Sequence, residues 1–187
     1  MYNPIKAAQV IAFFALKNNS RSINILKAIK LVYLADRESL KQWGFPILDE
    51  NRVSMPHGPV NSSTYSHING EVDTNSCGWS QYLSDKANHE ISVNKQVSLD
   101  DLDELSDADI ECMEKVWTAF GEMDQWTIRD WTHDSNNVPE WEDPNGSSSI
   151  IPLERIMRHL GIENSELQLQ KIEEFRNIDS LFAALSA

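Results

Sequence analysis

The stretch Lys30–Val60, which reads KLVYLADRESLKQWGFPILDENRVSMPHGPV, decides the fold that we predict for this chain. It joins an apolar helix, which Gly44 ends, to a Gly-Pro step that is typical of a second helix start. On a helix over residues 22–43, at about 100° per residue, one narrow stripe is mostly basic. It carries Lys27, Lys30, Arg37, Glu38 and Lys41, whereas the far, apolar side carries Ile25, Ile29, Val32, Leu40 and Trp43.

Asp36 lies in the middle of the apolar side of this helix. A buried, ionised carboxylate is costly unless it is paired or hydrogen-bonded, so Asp36 should have a specific partner. We expect that partner at the helix that residues 57–60 are predicted to begin, either its free backbone N–H groups or the His57 side chain. A structural contact that pins two helices is favoured over a general-base pair of Asp36 with His57.

The whole pattern predicts a mostly α-helical α+β fold, a single domain of five to seven helices with a small antiparallel β-hairpin. Caps, glycines and apolar spacing place helices near residues 4–17, 22–43, 58–68, 106–120, 124–131, 152–160 and 165–187. Alternation over residues 90–99 predicts a strand that pairs with residues 79–83. We expect residues 1–144 to form the main domain and residues 145–187 a helical extension packed on the same core.

The charge is unevenly distributed along the 187 residues, whose net charge is −13. Residues 70–145 carry four Lys/Arg and nineteen Asp/Glu, whereas residues 1–69 carry eight Lys/Arg and four Asp/Glu. An acidic surface often serves solubility alone, but this asymmetry also favours a basic protein partner and disfavours nucleic acid. Two cysteines outside any CxxC spacing, and no apolar run near ~20 residues, favour a reduced cytoplasmic protein without a membrane segment.

The residues that could carry chemistry form no catalytic motif. None of the five histidines is spaced as a metal-binding pair, and the seven glycines are scattered singly, without a phosphate loop. The sequence therefore predicts no catalytic, metal-binding or cofactor-binding residues. The rival hypothesis, an enzyme built on Asp36, His57 and His133, requires these three groups to converge in an open pocket.

Several pieces of this sequence, in their order and spacing, resemble the Panacea domain of SocA-like antitoxins over roughly residues 8–141. They are the Lys-Leu-x-Tyr-Leu-Ala-Asp helix at residues 30–36, the following Gly44 and Pro46, Gly58-Pro59-Val60, Leu105-Ser106-Asp107, Phe120-Gly121, Thr132-His133 and Glu140-Trp141. The residues that match the family in type and spacing are predicted to form a structural motif, and they are Lys30, Tyr33, Asp36, Gly58, Pro59 and Val60. His57 stands where relatives more often have an aromatic residue.

The resemblance implies an antitoxin of a bacterial or phage toxin–antitoxin pair, a non-enzymatic protein that neutralises its cognate toxin by direct protein–protein binding. Two alternatives remain open, an adaptor that delivers the toxin to a protease and a phage- or prophage-associated regulatory protein. Six tryptophans either fill the core, as we expect for Trp43 and Trp117, or anchor a partner. We predict partner contacts at Tyr65, His67, Trp131, His133 and Trp141.

Overall fold

The computed structural model describes residues 2–84 and 86–185, and within them it contains seven α-helices and five short strands. The helices are α1 (Pro4–Leu16), α2 (Ile25–Trp43), α3 (Ser62–Asn69), α4 (Asp107–Phe120), α5 (Gln125–His133), α6 (Leu153–His159) and α7 (Ser165–Leu185). The strands are β1 (Ser22–Asn24), β2 (Arg52–Met55), β3 (Gly58–Asn61), β4 (Glu90–Ser92) and β5 (Ser149–Ile151). The predicted fold class, α+β and mostly helical, is confirmed.

The helix ends follow from local chemistry. The Asn24 side chain accepts a hydrogen bond from Leu26 N at 3.0 Å and so caps α2, while Gly44 ends it at a φ of 76°. Ser106 and Asp109 form a reciprocal capping box at the start of α4. These signals lie within a few residues of each helix end, which is why the sequence located most helices well.

Helix α2 lies at the centre of the fold and packs against α1, α4, α5 and β3. Because these elements surround it, most of its charged stripe is covered, and Lys41 is the one exposed residue of that stripe. Lys30 is fully buried, although it lies on the mostly basic stripe of the helical wheel. Trp43, which was expected in the core, is 51% exposed because it lies in the last turn, beyond Leu40, the last buried residue of the helix.

The strands form two small antiparallel sheets, one of β1 and β4 and one in the order β3-β2-β5. The predicted hairpin of residues 79–83 with 90–99 is wrong in its main pairing. Strand β4 pairs with β1, residues 79–81 form a 3-10 turn, and only an isolated bridge joins Leu83 to Val93. The prediction failed because β4 pairs through its backbone with β1, which lies about seventy positions earlier in the chain, and no local sequence pattern indicates so distant a pairing.

A hairpin of β2 and β3 occupies the segment where a helix was predicted to begin. Gly58 adopts a φ of +93°, a value that L-residues rarely adopt, and it makes the tight turn into β3 possible. Pro59 then pairs with Ser54 in the strand, and the helix starts only at Ser62. Gly-Pro here therefore begins a strand, although the same dipeptide is common at helix starts.

The C-terminal part is attached through β5, which pairs with the free edge of β2. Gln168 Nε2 donates to Gly44 O at 3.0 Å, and the Phe175 ring packs edge-on against Phe45 at 5.4 Å. Beyond Phe175, the apolar side chains of Leu181 and Leu185 are exposed. The first half of α7 is thus fixed to the end of α2. Within the described residues, no helix has the length and apolar character needed to cross a membrane.

Candidate interaction surface

Lys30 connects α2 to the β2–β3 hairpin from inside the protein. Its Nζ donates a hydrogen bond to Pro59 O at 3.0 Å, and a Cβ at position 58 would lie 2.7 Å from that nitrogen. Gly58 is therefore needed for space as well as for its backbone angle. Burial, with a smaller effect of the nearby Arg129 charge, lowers the pKa of Lys30 from 10.5 to about 7.

Tyr33, one turn further along α2, holds the loop that follows α5. Its hydroxyl donates to Glu140 Oε1 at 2.8 Å, and Arg37 Nε donates to the same oxygen at 2.7 Å. Glu140 is fully buried, so these two donors satisfy a charge that would otherwise be costly. Burial and the neighbouring Glu140 carboxylate raise the pKa of Tyr33 well above its ordinary value.

Asp36 is buried as predicted, but its predicted partners are wrong. Its carboxylate accepts hydrogen bonds from Leu48 N at 2.9 Å, from Arg52 Nε at 3.0 Å and from Asn61 Nδ2 at 2.8 Å. The main partner is the Arg52 guanidinium, which is itself only 3% exposed. His57 and the 57–60 backbone are not involved, because that segment is a strand whose turn points His57 to the exterior.

Glu50 extends this buried cluster to α3. Its Oε2 accepts a hydrogen bond from Thr64 N at 2.9 Å. Its Oε1 accepts from Thr64 Oγ1 at 2.6 Å and from Asn61 Nδ2 at 3.3 Å. Burial raises the pKa of Glu50, although the bonds from Thr64 act in the opposite direction. Lys30 and Asp36 therefore both fix the β2–β3 hairpin to α2, whereas Tyr33 fixes the loop that follows α5. All three side chains are buried.

The five residues predicted to contact a partner do not form one surface. Tyr65 is half-buried and lines a groove beside the start of α2. His67 lies at the other side of α3, where its ring stacks on Trp79 at 5.1 Å and Nδ1 donates to Ser63 O at 2.8 Å. Trp131 packs edge-on against Phe120 at 4.7 Å.

His133 and Trp141 do lie together, as their rings meet edge to face at 4.6 Å. Trp141 Nε1 donates to Met55 O at 3.1 Å, and His133 Nε2 lies 3.1 Å from Pro56 O. Both therefore support the tip of the β2–β3 hairpin with one edge while remaining half-buried. Whether any of the five residues contacts a partner stays a prediction.

A groove of about 760 Å³ lies where the first turn of α2, the hairpin turn, α3 and the start of α5 converge. We call it the Trp126 groove, after an indole that is 54% exposed. The residues that line it are Asn24, Ile25, Leu26, Ile29, His57, Tyr65, Asn69, Lys86, Asn88, His89, Gln125 and Trp126. None of these described lining residues carries a carboxylate. Sequence reasoning found only Tyr65 of this set as a contact, because the groove joins segments that are distant in the chain.

The acidic segment 70–145 presents most of its charge to solvent. The structure describes eighteen of its nineteen carboxylates, and fifteen of those eighteen are exposed, while Asp109 and Glu140 are buried. Exposed carboxylates at this density generate a field that attracts cationic surfaces at low salt.

The arrangement required by the enzyme hypothesis is not formed. Asp36 is 2% exposed and bound to Leu48, Arg52 and Asn61, whereas His57 is exposed at the hairpin turn and His133 contacts backbone carbonyls. In residues 2–84 and 86–185, no group of three or more His, Cys, Asp or Glu side chains is placed to hold a metal ion.

The family of this chain follows from a comparison with known family models. The protein is a mostly helical α+β fold whose central helix holds the β2–β3 hairpin and the loop after α5 through buried polar side chains. The family model for antitoxin SocA-like proteins, Panacea domain, matches residues 29–142, which is more than half of the chain. The chain belongs to this family. No curated protein and no solved structure gives a significant match.

Proposed function

We propose that this protein is the antitoxin of a toxin–antitoxin pair and that it neutralises a cognate toxin by binding it directly. The observation that carries the proposal is the family match over residues 29–142, since that family is one of antitoxins. The buried motif supports a binding role, because Lys30, Tyr33 and Asp36 are used to hold the fold and leave no convergent reactive site among them.

The proposed mechanism combines long-range attraction with aromatic contacts. The exposed carboxylates of residues 70–145 would steer a toxin with a basic surface toward this protein. Half-buried aromatic side chains that combine an apolar face with a polar edge, such as Tyr65 and Trp141, would then anchor the complex. Neutralisation follows if the bound antitoxin covers the active site or the substrate path of the toxin.

The test begins with the reading frame next to this gene. Expression of its product alone should arrest growth, and co-expression with this protein should restore growth. The two purified proteins should co-elute, and their association rate should fall steeply between about 50 mM and about 500 mM salt. If the product of the adjacent reading frame is harmless and does not co-elute with this protein, the antitoxin proposal is contradicted. If the association rate does not depend on salt, the electrostatic steering by residues 70–145 is contradicted.

The same cells distinguish direct neutralisation from delivery to a protease. After synthesis is stopped, the half-life of the toxin should be the same with and without this protein. A toxin that becomes short-lived only in its presence would establish the adaptor mechanism instead.

A further inference from the structure

We propose that the Trp126 groove receives a segment of the toxin that carries a carboxylate next to an aliphatic or aromatic side chain. This inference rests on the proposed function, and it adds the chemistry of the contact. The toxin would then meet this protein with two kinds of surface. A basic surface faces the exposed carboxylates of residues 70–145, and an acidic segment enters the groove.

The shape and lining of the groove suit a peptide segment rather than a flat contact. Its volume of about 760 Å³ lies in the range of ligand-binding clefts. Ile29 forms part of its floor and is 6% exposed, while Trp126 stands at its edge and is 54% exposed. The Arg129 guanidinium lies 5.0 Å from the Trp126 ring centroid and restricts that ring. A partly exposed, restrained indole beside an apolar floor is the usual form of an interface anchor.

The charged residues of the lining favour a carboxylate on the incoming segment. The chain carries 29 carboxylates, yet the described lining holds none and instead includes Lys86, His57 and His89. Lys86 Nζ donates to Asn69 O at 3.0 Å and lies 3.4 Å from Asn69 Oδ1, both of which are neutral oxygens. An incoming carboxylate can therefore pair with this ammonium group. A basic segment would meet the like charge of Lys86 here and would find no carboxylate in the described lining.

Hydrogen bonds of the fold hold the walls of the groove in place. Asn88 and His89 both adopt positive φ, at 52° and 64°, in the turn between Ala87 and Glu90. The carbonyl of His89 accepts a hydrogen bond from Ile25 N at 2.9 Å, which fixes this turn against the start of α2. Lys86 joins the turn to the end of α3. Most of the lining also lies within the residues that the family model matches.

A second copy of this chain is a less suitable occupant. Two copies would bring together net charges of −13 each, and the repulsion would oppose the insertion of one copy into the other. The occupant is therefore assigned to the toxin, and self-association becomes an outcome that the experiment must detect.

The first experiment measures the affinity of the purified toxin, the product of the adjacent reading frame, for four variants by calorimetry. Lys86→Glu and Trp126→Ala should each weaken binding at least about tenfold. The matched controls are Lys95→Glu, at an exposed lysine outside the groove, and Trp43→Ala, at an indole that is 51% exposed at the far end of α2. Each control should change affinity less than about threefold. Circular dichroism melts establish that all four variants are folded.

The second experiment tests the carboxylate directly. A zero-length carbodiimide cross-link should join Lys86 to an Asp or Glu of the toxin, and mass spectrometry should identify both residues. Lys86→Arg should keep the affinity and lose this cross-link. Equal effects of Lys86→Glu and Lys95→Glu, or a cross-link from Lys86 only to a second copy of this chain, would overturn the groove assignment and leave the antitoxin proposal standing. If the wild-type protein does not bind the toxin at all, both proposals fail.

Discussion

The buried amine of Lys30 leads to a quantitative prediction about pH and stability. Burial lowers its pKa to about 7 in the folded protein, whereas an unfolded lysine titrates near 10.4. Between these two values the unfolded chain binds more protons than the folded protein, so the free energy of unfolding must rise with pH. Integrated from about pH 7 to about pH 9, the gain is about 2 kcal/mol.

The variant Lys30→Met isolates this contribution, because Met has a similar length and no titratable group. Urea unfolding, followed by far-UV circular dichroism, should be measured for both proteins at about pH 7, 8 and 9. The difference in unfolding free energy should shift by about 2 kcal/mol in favour of the wild type toward pH 9. The contributions of all other titratable groups, which both proteins share, cancel in this difference.

The matched control is Lys95→Met, which makes the same Lys→Met change at an exposed side chain. Its stability difference from the wild type should stay constant over the same pH range. If the Lys30→Met difference is also constant, then the Lys30 amine titrates alike in the folded and unfolded states. That result would refute the conclusion that its burial changes its protonation.

Three substitutions test the other contacts. Asp36→Ala leaves the buried Arg52 unpaired and should lower the free energy of unfolding by about 3–5 kcal/mol. Thermal or urea unfolding measures this loss, and an unchanged melt would contradict the conclusion that Asp36 is a buried, paired carboxylate. Tyr33→Phe removes one donor to Glu140 and should cost about 1–2 kcal/mol in urea unfolding, whereas an unchanged midpoint would mean that Arg37 alone satisfies that carboxylate. Trp141→Ala should weaken toxin binding at least about tenfold with an unchanged circular dichroism spectrum, and unchanged affinity would remove Trp141 from the interface.

The sequence predicted those features that depend on neighbouring residues. Gly44 at the end of α2 and Ser106 at the start of α4 define helix ends, and the sequence predicted both positions correctly. The burial of Asp36 was also predictable, because its position on the apolar side of one helix is a local property. The need for a partner followed from the cost of burying a charge.

The sequence could not identify that partner, because the choice depends on tertiary structure. Arg52 lies 16 positions after Asp36 and reaches it only because β2 turns its side chain inward. A signal was present, since a single Arg in a short extended segment is a natural counterion for a buried Asp. It was outweighed by the Gly58-Pro59 pattern, which is common at helix starts.

Lys30 and the groove illustrate a second limit. A helical wheel divides residues into polar and apolar sides, but it contains no information about which neighbours cover each side. Here α5 and β3 cover the side that carries Lys30. The Trp126 groove joins residues from Asn24 to Trp126, and their proximity depends on the completed fold.

The buried position of Lys30, Tyr33 and Asp36 has a consequence for directed evolution of this domain. The side chains that maintain the architecture are out of reach of any ligand, whereas His57, Lys86 and Trp126 are exposed. Libraries randomised at these outer positions should thus retain most folded members, and selection could retarget recognition without rebuilding the interior.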